Sequence, residues 1–152
     1  MRRTLILLGL LAACSIERKT PPPADRSADR EALMAADRAF ADSTAAHGLD
    51  GWMQFYAADA VRLDLGGEAT QGLEGIRAKD SLIFVNPDRL LTWQPVSSGV
   101  FADGQHGFTT GRWARVRLDS TRDTLGTGRY VTMWRRGSDG RWRVILDTGS
   151  GD

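Results

Sequence analysis

"GRYVTMWRRGSDGRWRVILDTG", residues 128–149, decides the fold. Two runs rich in strand-forming residues flank Ser138-Asp139-Gly140, the composition of a tight turn. The alternation predicts a strand over 128–136, with Tyr130, Thr132 and Trp134 on one face and Val131 and Met133 on the other. It predicts the last strand over 141–148, with Trp142, Val144 and Leu146 set against Arg143, Ile145 and Asp147. Alternation alone does not decide which face of either strand points inward, so both readings stay open.

Upstream, the pattern repeats. Leu90 to Phe101 and Gln105 to Leu118 read as long strands joined by the Asp103-Gly104 turn, and 119–125 reads as a polar loop. Long consecutive strands joined by turns make an antiparallel meander. Pro95, Gly99, Gly107 and Gly111 are the expected bend points of a sheet that must curl.

The preceding half is helical. Ser27 is the expected cap, with Asp29 and Glu31 in the first turn. Leu33, Ala36, Phe40, Ala41 and Thr44 then recur at helical spacing until Gly48. A second short helix is expected from Asp50, with Trp52, Met53 and Tyr56 on one face. Val61, Leu63 and Leu65 alternate with Arg62 and Asp64 as a half-buried strand, turned by Gly66-Gly67. A third helix is expected over 73–84, with Leu73, Ile76 and Ile83 inward, broken at Asn86-Pro87. Helices first and sheet afterwards give an α+β domain: three N-terminal helices on a curved antiparallel sheet, forming a cone with a pocket at its wide end.

The beginning of the chain follows a different logic. Met1-Arg2-Arg3 is a basic start, and Thr4 to Ala13 is an apolar run too short to span a bilayer. Leu11-Ala12-Ala13-Cys14 resembles the lipobox of bacterial lipoproteins. That resemblance implies a signal peptide over 1–13 and an acylated Cys14 as the mature N-terminus, tied to a membrane by its lipid. Ser15, where an aspartate would retain an inner-membrane lipoprotein, favours the outer membrane. Residues 14–28, with Pro21-Pro22-Pro23, read as an extended tether, which leaves 29–152 as the domain.

Composition narrows the function. The 152 residues suit one domain, and a net charge of +1 provides no global attraction for polyanions. One cysteine and two distant histidines exclude a disulfide framework and any metal site of familiar spacing. Gly126-Thr127-Gly128 leads into a strand rather than a helix, so no phosphate cradle and no cofactor is implied. Base-stacking motifs are missing, which argues against nucleic acid. The arginines dense between Arg112 and Arg143, with Arg115 and Arg117 sharing a face, read as a solvated outer surface, or alternatively as a surface for an anionic partner.

The phrases "DRAFADSTAAHGLDGWMQFYAADAVRLDLGG", "QGLEGI", "TTGRW" and residues 128–149, in that order, resemble the NTF2-like superfamily, which includes SnoaL-like and ketosteroid-isomerase-like proteins, and especially its DUF4440 branch. The resemblance runs from Glu31 to Gly149. It implies a cone of curved sheet and helices, often a homodimer formed through the sheet. Acid–base members carry a catalytic Asp on this sheet. That points to Asp147, with Tyr56 or Tyr130 to hydrogen-bond an oxyanion. Trp52, Tyr56, Asp64, Arg112, Thr132 and Trp134 are the expected pocket residues. The plainer alternative for Asp147 is an ion pair with Arg112 or Arg129. His106 reads as a surface residue near a turn. No acid–histidine pair of the polyketide-cyclase kind is present, which argues against cyclase chemistry. Three functional readings follow: a cone that binds a small hydrophobic ligand or a protein partner without catalysis; an acid–base enzyme acting on a carbonyl compound; and a dimerising or docking module.

Overall fold

The computed structural model describes residues 25–64 and 66–152; the expected signal peptide and lipobox with Cys14, the expected tether as far as residue 24, and Leu65 lie outside them. Helix α1 spans Ser27–Met53, β1 Tyr56–Leu63, β2 Ala69–Gln71 and α2 Leu73–Asp80, followed by a 3-10 turn at Ser81–Ile83. The meander follows as β3 Arg89–Val100, β4 His106–Arg117, β5 Thr124–Arg136 and β6 Trp142–Gly151. All strands join one sheet in the order β2-β1-β6-β5-β4-β3.

Three expectations are corrected. The described residues form two α-helices, not three, because the expected first and second helices run together as α1 through a kink at Gly48. Tyr56 is not on a helix but opens β1. The sheet is mixed rather than antiparallel throughout, because β6 lies parallel to β1. The last strand, β6, thus joins β1 to the meander, lying between β1 and β5 in the sheet.

α1 buries Leu33, Asp37, Phe40, Ala41 and Thr44, a stripe at helical spacing, and lies mainly across β3. Its first amide is capped by Asp25, whose carboxylate accepts from Ser27 N at 2.9 Å; Ser27 itself does not cap. Gly48 has φ 56° and ψ −131°, a conformation open to glycine and costly for any residue with a Cβ. The reversal brings Trp52 back onto Phe40, ring centroids 4.8 Å apart. Phe40 is the hub of the core and also meets Phe55 at 5.0 Å and Trp93 at 4.8 Å. On α2, Ile76 is buried, but Leu73 faces solvent.

Irregularities in the ladder shape the sheet. β3 shifts register between Pro95 and Ser97, at the proline expected to mark a bulge. On β6, Met133 pairs with Leu146 and Trp134 with Val144, so Ile145 has no partner across β5. That extra residue reverses the alternation. Trp142 and Val144 before it, and Asp147 after it, all become buried.

Candidate functional site

The inward faces of β3 to β6, together with α1, enclose a cavity of about 250 Å³. Phe40, Trp52, Ile83, Leu91, Trp93 and Trp113 supply its apolar walls. Arg62, Asp64, Arg115, Tyr130, Thr132, Asp147 and Thr148 supply polar groups, and Gly149 leaves space on β6. This is the expected make-up of a ligand pocket, with a volume just below the usual range. Gly111 lets the Tyr130 ring lie close against β4, since a Cβ there would collide with the Gln94 carbonyl and with that ring.

Asp147 lies at the polar side of the cavity. Its Oδ1 accepts from Thr132 Oγ1 at 2.7 Å and its Oδ2 from Tyr56 Oη at 3.3 Å. Arg62 Nε stands 3.5 Å from Asp147 Oδ2 and 3.5 Å from Asp80 Oδ2. It is shared between the two carboxylates without an aligned bond to either. Arg62 Nη1 is occupied by the carbonyls of Leu63, at 2.9 Å, and Asp147, at 3.4 Å. Asp80, behind Arg62, accepts from Trp52 Nε1 at 3.0 Å. Burial pushes the Asp80 carboxyl above its ordinary range, partly offset by the Arg62 charge and the Trp52 donor. Burial alone would lower the Arg62 guanidinium, but the charges of Asp147, Tyr56 and Asp80 more than offset it, so the net shift is upward.

A third buried carboxylate lies beside the cavity wall. Asp37, on the apolar stripe of α1, is fully buried. It accepts from Trp93 Nε1 at 2.8 Å through Oδ1 and from Tyr130 Oη at 2.8 Å through Oδ2. Among the described residues no cation stands within ion-pair distance of it. Burial therefore raises its carboxyl above the ordinary range, with the Trp93, Thr109 and Tyr130 donors drawing it part of the way back. The same environment raises both tyrosines. Burial and then the charge of Asp37 raise Tyr130; burial and then the charge of Asp147 raise Tyr56.

The structure places the residues expected from sequence in different surroundings. Asp147, Trp52, Asp64, Tyr130 and Thr132 line the cavity. Tyr56 stands behind Asp147, bonded to it. Trp134 is buried deeper, its Nε1 donating to Thr109 Oγ1 at 2.8 Å. Arg112 is exposed, facing Arg129 across the β4–β5 ladder, and neither arginine is the partner of Asp147; Arg62 is. Asp64 lies at the cavity edge, where Lys79 Nζ, at 2.6 Å, and the amides of Gly66 and Glu68 hold its carboxyl below the usual range. His106 starts β4 and its Nδ1 lies 2.7 Å from Asp103 Oδ2, away from the cavity. Arg115, expected on the solvated face, lines the cavity instead.

Arg62, Asp37 and Asp80 join the site without being expected from the sequence. Two of them left a signal. Asp37 is four residues from Leu33 and three from Phe40, and Asp80 is four from Ile76, so each carboxylate sits on the apolar stripe of its helix. A charge there must be given partners.

The SnoaL-like domain profile matches residues 38–145. No curated protein matches the chain at sequence level. Among solved structures, an NTF2-like protein with a cystatin-like fold from Novosphingobium aromaticivorans is similar at TM-score 0.64 and 16% identity, covering 80% of each chain. A ketosteroid isomerase-like protein from Erwinia carotovora atroseptica is similar at TM-score 0.66 and 13% identity, over 82% of this chain and 97% of that one. A protein from Catenulispora acidiphila, solved in complex with S-DNPA, is similar at TM-score 0.65 and 11% identity, over 80% of this chain and 92% of that one. At such identities the likeness is one of fold.

Proposed function

The chain belongs to the SnoaL-like domain family, and from that premise we propose that its cone binds a small apolar molecule bearing a polar group, without transforming it. The observation that carries this reading is the cavity itself. About 250 Å³ of space is walled by aromatic and aliphatic side chains, with Asp147, Thr132 and Tyr130 on one side to orient a guest.

The hydrogen bonds favour binding over proton transfer. An acid–base site of the isomerase kind needs a tyrosine proton free to meet a developing oxyanion. Here the Tyr56 proton is engaged by Asp147 and the Tyr130 proton by Asp37. The tyrosine groups left for a guest are acceptors. One observation favours the enzymatic alternative: Asp147 is inside the cone, bonded to a tyrosine and bordering the void. A ketone with exchangeable α-protons tests it. The expected result is no deuterium exchange above that of an Asp147→Asn variant, and catalysed exchange lost in that variant would replace binding with catalysis.

Binding itself is read by thermal shift with neutral aromatic guests. A guest at about 100 times its Kd adds roughly 2.7 kcal/mol and raises Tm. No shift with any guest at millimolar concentration would sink the reading.

The same proposal places the domain at a membrane through Cys14. The support is in the sequence: a basic start, an apolar run of signal-peptide length and the Leu11 to Cys14 box. In a bacterial host the full chain should incorporate labelled palmitate and Cys14→Ser should not; a labelled Cys14→Ser chain would refute the anchor.

A further inference from the structure

Arg115 is unlike every other arginine in the described structure. Seven of the described arginines have no acidic partner. Six of them, Arg30, Arg89, Arg112, Arg122, Arg129 and Arg141, are exposed, where water satisfies the guanidinium. Arg115 is half-buried, lines the cavity and has no hydrogen-bond or ion-pair partner among the described residues. The other cation facing the space, Arg62, is already held between Asp80 and Asp147. The nearby acid at the cavity edge, Asp64, is taken by Lys79.

The register gives the position of this free charge. Arg115 pairs with Leu91 on β3 and with Gly126 on β5, so one cross-strand neighbour is apolar and the other has no side chain. Tyr130, at the inner polar side, is level with Gly111. Four residues of strand separate Gly111 from Arg115, roughly 13 Å at the usual rise. Between the two levels lie Trp93 and Trp113, which are cross-strand partners. From the inside outward, the cavity thus presents hydrogen-bonding groups, an aromatic sleeve and a cation with open donors.

We propose that the ligand class of the cone is a small apolar carboxylic acid, its carboxylate on Arg115 at the rim and its apolar body between Trp93 and Trp113. This rests on the reading of the cone as a binding site and specifies what that site selects. A planar guanidinium matches a carboxylate with two parallel bonds, and the partly desolvated wall strengthens the attraction. An anion entering there gains a partner that Arg115 lacks in the free protein. A neutral guest gains only the sleeve.

Cinnamate and its neutral isostere cinnamamide test the inference by isothermal titration on the full chain. The expected result is cinnamate binding at least about tenfold tighter than cinnamamide, as one charge-assisted bond supplies. Arg115→Gln should bring the ratio close to one, and Arg115→Lys should restore part of it. In the unaltered chain the preference should shrink as salt is raised, a reading that does not depend on how well the variants fold. Equal affinity for the two compounds, or a preference that survives Arg115→Gln, overturns the carboxylate assignment and leaves the cone as a binding site for neutral guests. Failure of both compounds to bind overturns the binding reading and this inference with it.

Discussion

At the scale of single residues, the interior is organised around carboxylates rather than around apolar packing alone. Arg62 separates Asp80 from Asp147, and all three are largely buried. Removing one member of such a cluster leaves uncompensated charge in a poor solvent, at a cost of about 3–5 kcal/mol. Arg62→Met should therefore destabilise by about that amount in urea unfolding, and adding Asp147→Asn should recover part of the loss; an unaffected midpoint in the single variant would show that the cluster contributes nothing. Asp37 makes a prediction of opposite pH sense to the surface acids. Burial raises its carboxyl above the ordinary aspartate range, so its contribution to stability is complete below the unfolded value and is lost as pH rises through the folded one. The difference in unfolding free energy between the protein and Asp37→Asn should fall as pH is raised from about 3 toward neutrality and then level off; a difference that rises would contradict the burial argument. Asp103 works the other way. Its hydrogen bonds to His106 hold its carboxyl down to about 2, so its contribution is present above 3.8 and disappears as pH falls.

At the scale of elements, the departures from regularity position the site. Alternation along residues 142–147 sets Asp147 opposite Trp142 and Val144, and a regular strand would leave it outside the cone. The unpaired Ile145 reverses that. In the same way the kink at Gly48 turns what reads as two helices into one bent element and folds Trp52 over the cavity. Gly48→Ala should cost about 1–3 kcal/mol, because its φ and ψ lie where a Cβ is strained. The check is chemical unfolding together with near-ultraviolet circular dichroism of the Trp52–Phe40 contact; an unperturbed variant would mean that the kink relaxes freely. The helical stripe, the turns and the long meander strands were legible in the sequence because they are set by local period and local turn chemistry. The parallel β1–β6 pairing was not, because its partners lie nearly 90 residues apart in the chain, and the bulge at Ile145 was not, because it is defined by register against β5 rather than by the local pattern of β6.

At the scale of the whole molecule, Phe40 joins the helical layer to the sheet, touching Trp52, Phe55, Tyr56, Trp93 and Trp134. Phe40→Ala should destabilise by about 3–5 kcal/mol and also weaken any guest of the cone, since the ring is both core and cavity wall. A variant that lost ligand but kept its stability would assign Phe40 to the pocket alone. Because the cavity borders the same aromatic cluster that holds the fold together, ligand binding and global stability should rise and fall together in thermal scans.

By itself the sequence determined the class of the fold and most of its strands, since each is written in neighbouring residues. It did not determine what those residues meet. Only the tertiary structure decided that Asp147 faces inward and pairs with Arg62, that both tyrosines donate hydrogen bonds to buried acids, and that Arg115 turns into the cone without a partner among the described residues. The physical reason is that alternation and helical period assign a residue to a face, whereas bulges, kinks and strand register decide which space that face encloses.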